Sequence, residues 1–168
     1  MTVQRNIQLV SDREKSLTGK EPLRIWLRLL GLNNLISQYT RNKFRKEFNI
    51  TLPQFDVLAE LGRTHKPMTM TELSRELMVS NGNITGVIDR LERDGLVQRS
   101  SSLEDRRVQH LSLTAAGGKA FKNMAQGHES WVAELFSGVT QSEIKKCSEQ
   151  LRNIKITIVE NIRKSEEK

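Results

Sequence analysis

The side chains best suited to chemistry in this sequence lie in two short polar stretches. The first, Ser80–Gly86, supplies hydroxyl and amide groups, and the second, Asp105–Arg107, supplies a carboxylate and two guanidinium groups. The chain shows no nucleophile–base set, no phosphate-binding glycine loop and no metal-ligand cluster, which argues against an enzyme. Amides beside cations are the groups that contact base edges and phosphates. The two stretches therefore favour nucleic-acid binding over catalysis.

The segment after Ser80 has the period of an amphipathic helix. Its apolar positions are Ile84, Val87, Ile88 and Leu91. They predict one buried face. The opposite face carries Gly82 and Gly86, and each glycine inside a helix costs roughly 0.5–1 kcal/mol relative to alanine. One explanation is that another surface, such as the floor of a DNA groove, approaches this face closely; the alternative is an exposed face that tolerates glycine.

Capping signals place this helix second in a pair of short helices. Thr69–Glu72 has the pattern of a capping box, Ser80 is an N-cap residue, and Asp94-Gly95 supplies a helix end. Two short helices joined by a few residues, the second amphipathic, indicate a helix-turn-helix. Strand-like segments on either side of the loop Ser100–Arg107 then predict a wing.

Long helices are expected on both sides of this region. The segment 22–48 is apolar nearly all round in its first half, which predicts burial on more than one side. The segment 115–163 ends in a helix with a narrow apolar stripe, formed by Ile144, Cys147, Leu151, Ile154, Ile158 and Ile162. Such a stripe resembles a coiled-coil seam and needs a partner helix. We therefore expect a homodimer built by the first and last helices.

The predicted fold class is mainly α with a small β wing. We expect a winged helix-turn-helix lobe, 51–113, between the dimerisation helices of a domain over 22–168, and a flexible N-terminal arm over 1–21. The mean hydropathy of −0.52 and the lack of a long apolar run exclude a membrane span. The N-terminus does not resemble a signal peptide, and the single cysteine, Cys147, excludes an intrachain disulfide. We expect a cytoplasmic protein without a cofactor.

The chain is basic, but its charge is unevenly placed. The formal net charge is +7 and the pI is about 9.8, which suggests a polyanionic partner. The segment 62–107 is nearly neutral, with eight basic and seven acidic residues, whereas 20–47 carries a net charge of +5. Each cation in the segment 62–107 would therefore act through its own position and not through a high local density of positive charge.

Three motifs in order resemble one family of regulators. Leu91–Val97 (LERDGLV), Asp105–Arg107 (DRR) and Leu113–Gly117 (LTAAG) look like the winged-helix regulators of the multiple-antibiotic-resistance regulator (MarR) family. The resemblance implies a triangular homodimer, a pseudo-palindromic double-stranded DNA operator and, usually, repression relieved by a small molecule. Ser102-Leu103 stand where the family often has Asp-Pro, a departure that concerns the shape of the wing tip and not its existence.

The expected DNA-contacting residues are Ser80, Asn81, Gly82, Asn83, Thr85, Gly86, Arg90, Asp105, Arg106 and Arg107. The two asparagine amides suit base edges, and the Ser80 and Thr85 hydroxyls at a helix N-terminus suit phosphates. The resemblance places a minor-groove guanidinium at Arg107, with Asp105 orienting it or pairing with Arg90. The alternatives are ordinary capping for the asparagines and a solvated charged turn for the wing.

The effector site is predicted less sharply. The candidate lining residues are Trp26, Leu30, Tyr39, Arg41, Arg45, Met124, His128 and Trp131. The basic first helix favours an anionic effector, such as an aromatic carboxylate or a thioester of coenzyme A, although contacts with the DNA backbone would explain the same charge. The alternative for each residue singly is core packing or a solvated face.

Other functions are weaker alternatives. A winged helix can also serve as a protein-interaction module or as an architectural DNA-binding module without an effector. His128 lacks a neighbouring ligand at metal-binding spacing and is expected to be a buried histidine. Cys147 occupies the apolar seam, where a small hydrophobic residue belongs, so redox sensing is a minor possibility.

Overall fold

The protein is described by a computed structural model that covers residues 19–64, 66–101 and 109–167. This part of the chain forms six helices and three short strands, and it confirms the predicted fold class. In chain order they are α1 (Glu21–Phe48), α2 (Leu52–Thr64), β1 (Met68–Thr69), α3 (Met70–Glu76), α4 (Asn81–Arg93), β2 (Val97–Ser101), β3 (Gln109–Leu113), α5 (Ala115–Leu135) and α6 (Gln141–Glu166). No described helix is both long and apolar enough to cross a membrane.

The helix starts follow local capping chemistry. At α3 and α6, the Thr69 and Thr140 side chains each accept from the N3 backbone N–H, while the N3 glutamate carboxylate accepts from the threonine backbone N–H. These bonds satisfy N–H groups that a helix leaves unpaired. At α2, Gln54 Oε1 accepts from both the backbone N–H and the hydroxyl of Thr51, at 2.9 Å each. The Gln54 side chain thus pairs with the Thr51 backbone N–H that precedes the helix.

The wing is part of a three-stranded antiparallel sheet in the order β1-β3-β2. Arg99 of β2 and Met68 of β1 both align with Leu111 of the central strand. Leu111 is buried, so the sheet presents one face to the core. The sequence predicted β2 and β3 but not β1, because a strand of two residues has no readable period.

The core lies within the first of two compact units, which divide after Val132. Its fully buried side chains come from four helices and two strands and are Phe44, Val57, Leu58, Leu73, Ile88, Leu91, Val97 and Leu111. The Phe44 ring stacks on Phe55 with centroids 4.3 Å apart and meets Trp131 edge-on at 5.1 Å. Burial of these groups fixes α2, α4 and the sheet relative to one another.

The second unit, beginning at Ala133, contains the end of α5 and the whole of α6. Gly138 adopts a φ of +95°, a left-handed conformation that suits glycine, and Thr140 then caps α6. No residue of α6 is buried. Its predicted seam is exposed, with Ile158 and Ile162 each 50% accessible.

Candidate DNA interface

Helix α4 presents a polar face to solvent directly from its first turn. Ser80 is extended at the N-cap, and its hydroxyl oxygen accepts from the Asn83 backbone N–H at 3.4 Å. The first backbone N–H groups of a helix have no intrahelical partner, so those of Asn81 and Gly82 point outward at the positive end of the helix dipole. The backbone N–H groups of this first turn can therefore bind an anionic oxygen, while its asparagine side-chain amides extend further from the helix.

The structure brings the candidates on α4 onto one exposed face. Its members are Ser80, Asn81, Gly82, Asn83, Thr85, Gly86 and Arg90, all exposed. The opposite face carries Ile84, Ile88 and Leu91, each no more than 2% accessible. The Thr85 hydroxyl donates to the Asn81 carbonyl oxygen at 2.8 Å. Its proton is thus already used, and Ser80 is the better phosphate donor of the two hydroxyls.

The two glycines of this face are not required by the protein's own packing. A Cβ atom added at Gly82 or Gly86 would meet no described residue within 4 Å, and neither glycine has a positive φ. Gly117 differs, because a Cβ there would collide with the Leu96 carbonyl oxygen, and Gly62 lies against the ring of Phe121. Packing therefore explains glycine at 62 and 117, whereas 82 and 86 leave the helix backbone open to an outside surface.

An arginine that the sequence reasoning did not single out ties the wing to this helix. Arg99 of β2 donates to Asp89 at 2.5 Å and pairs with Glu92 at 2.9 Å. The two carboxylates lie one turn apart on α4, so one guanidinium can span both. The sequence signal for these ion pairs was two acidic residues at i and i+3 on a helix, followed by a basic residue on the next strand.

The predicted wing-tip residues Asp105, Arg106 and Arg107 lie outside the described residues, as does the Ser102-Leu103 pair. The predicted Asp105–Arg90 pair therefore stays a prediction. Arg90 makes no ion pair with any residue that the structure describes. Its guanidinium is directed to solvent on the same helix as the exposed glycines.

The eight candidate effector residues do not gather into one site. Met124 and Trp131 are core residues, 4% and 5% accessible, and Tyr39 packs at the edge of that core. Trp26 and Leu30 are 57% and 41% accessible on the first half of α1. At 1.5 Å per residue, Trp26 lies about 20 Å along the helix from Tyr39. The remaining candidates on α1, Arg41 and Arg45, are both exposed.

His128 is a half-buried aromatic partner of the core. Its ring centroid lies 5.1 Å from that of Phe55 and 5.5 Å from that of Phe44. Burial lowers the pKa of His128 below its ordinary value of 6.5, because the charged imidazolium loses hydration. No group of His, Cys, Asp and Glu side chains among the described residues could hold a metal ion.

Comparisons with known proteins agree with this arrangement. The model of the MarR family matches residues 50–108. An uncharacterized HTH-type transcriptional regulator of Bacillus cereus is 33% identical over 127 residues, covering 76% of this chain and 83% of the relative.

Two solved structures are similar over most of the chain. A MarR family transcriptional regulator from Silicibacter pomeroyi has a TM-score of 0.72 at 30% identity and covers 84% of this chain and 97% of its own. FabT of Streptococcus pneumoniae, solved in complex with DNA, has a TM-score of 0.68 at 27% identity, with 83% and 98% covered.

Proposed function

The chain belongs to the MarR family of DNA-binding transcriptional regulators, and we propose that it is a homodimeric repressor acting in the cytoplasm. It recognises a pseudo-palindromic operator and is released from it by a small anionic ligand. The family and the relatives are regulators rather than enzymes. The similar FabT protein was solved in complex with DNA, which supports DNA as the partner.

One observation carries the proposal: α4 has a polar exposed face, its N-terminus is capped by Ser80, and its backbone is exposed at Gly82 and Gly86. Helices that read DNA enter the major groove with their N-terminal residues at the base edges. In the described part of the chain, neither a packing neighbour nor a positive φ requires glycine at residues 82 and 86. Close approach of the helix backbone to DNA accounts for both glycines.

Specific contacts are assigned to a few side chains. The Asn81 and Asn83 amides can each donate to and accept from one base edge, the pattern that adenine presents in the major groove. The Ser80 hydroxyl and the free backbone N–H groups behind it bind a phosphate. Arg90, one helical turn beyond Gly86, supplies a further cation for the DNA backbone.

The wing supplies the second contact. We assign Arg107 to an A·T-rich minor groove, where the narrow width enhances the negative potential, with Arg106 on the flanking phosphates and Asp105 orienting Arg107. The Arg99 ion pairs with Asp89 and Glu92 support this assignment, because they hold the strand that leads to the tip against α4.

Dimerisation is supported by apolar surface left exposed in each unit. In the first unit, the exposed apolar residues of α1 are Leu23, Ile25, Trp26, Leu29, Leu30 and Leu32. In the second unit, the α6 seam is exposed from Leu151 to Ile162. Light scattering should give twice the chain mass of 19.3 kDa at micromolar concentration, and Ile158→Lys should lower it. A monomeric wild-type protein would rule out this assembly.

An anionic effector is supported by the charge of α1. Arg41 and Arg45 lie one turn apart on it and are both exposed. Aromatic carboxylates and acyl thioesters of coenzyme A should raise the melting temperature of the wild type, and Arg41→Gln/Arg45→Gln should abolish that shift while retaining operator binding. If the double variant instead loses operator affinity and shows a smaller salt slope, these arginines contact DNA.

Footprinting on the DNA upstream of the protein's own gene tests the function as a whole. We expect a protected site with two related half-sites about one helical turn apart. Salt-sensitive binding without sequence preference would show an architectural role, and absence of binding would indicate a protein-interaction module. Repetition with aromatic acids and their coenzyme A thioesters then tests release.

A further inference from the structure

Met78, in the turn between α3 and α4, combines an unusual backbone with an unusual side-chain environment. Its φ of +54° lies in the left-handed region, which favours glycine. Its side chain is 91% exposed, the highest value among the exposed large hydrophobic residues of the described chain. Neither feature is explained by packing within the described part of the first unit, whose core and core-lining residues do not include Met78.

The backbone conformation is imposed by the end of α3. The Val79 N–H donates to the Ser74 carbonyl at 3.0 Å, and the Met78 N–H donates to the Arg75 carbonyl at 3.1 Å. These two bonds form a Schellman motif, whose left-handed position is usually glycine. Methionine there destabilises the fold relative to glycine, and its side chain is 91% exposed and does not belong to the core formed by the described residues. A strained, exposed residue beside a binding surface indicates a contact outside the chain.

The position of Met78 identifies the partner. It precedes the Ser80 N-cap by two residues, so its Cα lies within about 7.6 Å of the Ser80 Cα. Resting on the DNA-binding function proposed above, we propose that Met78 is a DNA-contacting residue whose thioether packs on an apolar part of the operator. The apolar groups within reach of such a turn are a thymine C5-methyl and a deoxyribose.

The chemistry of methionine suits this role. Ser80, Asn81 and Asn83 can form hydrogen bonds but cannot recognise a methyl group. The methionine side chain is flexible and polarizable, so it adapts to an apolar surface that it meets only on binding. Met78 therefore adds an apolar contact to the polar contacts of α4.

The test uses three variants in the full-length protein. Met78→Gly relieves the left-handed strain and removes the side chain, while Met78→Leu retains an apolar side chain in the same backbone. Asn49→Gly is the matched control, because Asn49 has the same φ of +54° at the end of α1. Binding to a duplex that carries the footprinted operator is measured at one fixed salt concentration.

We expect Met78→Gly to melt no lower than the wild type, yet to bind the operator about tenfold more weakly, since a dimer loses two apolar contacts of about one methyl group each. Met78→Leu should bind within about threefold of the wild type. Asn49→Gly should leave affinity unchanged.

An operator with deoxyuridine in place of thymine distinguishes the two DNA surfaces. If Met78 packs on a thymine methyl, the substituted duplex weakens wild-type binding but not Met78→Gly binding. If it packs on deoxyribose, Met78→Gly weakens binding equally on both duplexes. Wild-type affinity in Met78→Gly would overturn the proposal while leaving the DNA-binding function intact. Failure of the wild type to prefer the operator would overturn both.

Discussion

Replacing Gly86 by alanine should stabilise the folded protein but weaken its binding to the operator. A glycine inside a helix costs roughly 0.5–1 kcal/mol relative to alanine. Among the described residues the structure shows open space where the alanine Cβ would lie, so no steric clash with them offsets that gain. Gly86→Ala should therefore raise the free energy of unfolding by about 0.5–1 kcal/mol per chain.

The same methyl group should weaken operator binding. If the α4 backbone lies against the floor of the groove, a Cβ at residue 86 would push the helix away from the DNA in both half-sites. We expect at least a tenfold loss of affinity, about 1.4 kcal/mol. Urea unfolding at fixed protein concentration measures the first quantity, and gel-shift titration at fixed salt measures the second.

Gly118 provides the matched control. It lies in α5, has no positive φ, and an added Cβ would again meet nothing within 4 Å. Gly118→Ala should give a similar gain in stability with unchanged operator affinity. If Gly86→Ala is stabilised and still binds as tightly as the wild type, the glycines belong to an exposed face that merely tolerates them, and the close-approach reasoning fails.

Three further predictions follow from the wing and the core. Arg107→Ala should weaken operator binding by about 1–3 kcal/mol in a gel-shift titration while light scattering still shows the dimer. Arg99→Met should lower operator affinity severalfold with less than about 1 kcal/mol of destabilisation, whereas Arg63→Met, which breaks a comparable pair with Glu60 outside the wing, should leave affinity unchanged. Because burial lowers the pKa of His128 in the folded protein, the unfolded chain binds a proton more readily than the folded protein does below pH 6.5. The free energy of unfolding should therefore decrease as the pH falls from 6.5 through the folded pKa. Urea unfolding at pH 7.5 and 5.5 should therefore show a smaller loss of stability in His128→Phe than in the wild type.

Sequence reasoning succeeded where the determining contacts are local. The Ser80 cap and the capping box at Thr69 depend on groups three residues apart, so their residue types alone specify the bonds. The buried face of α4 follows similarly from helical spacing, because every third or fourth residue must share a side.

The remaining features depend on tertiary placement. Strand β1 exists only because Met68 pairs with Leu111, far along the chain. The Arg99–Asp89 contact depends on how β2 leaves the end of α4, which periodicity does not encode. The effector candidates differ in burial for a related reason. Apolar spacing assigns Trp131 and Trp26 to helix faces but does not predict how deeply each is buried, and of the two only Trp131 is buried.

Sequence preference in DNA binding shows directly whether α4 reads base edges. Wild-type protein should be titrated against a duplex that carries the footprinted half-sites and against a shuffled duplex of equal length and composition, at one salt concentration near physiological. If α4 reads base edges through Ser80–Gly86, the operator should bind at least about a thousandfold more tightly than the shuffled duplex. Equal affinities for the two duplexes would contradict the account.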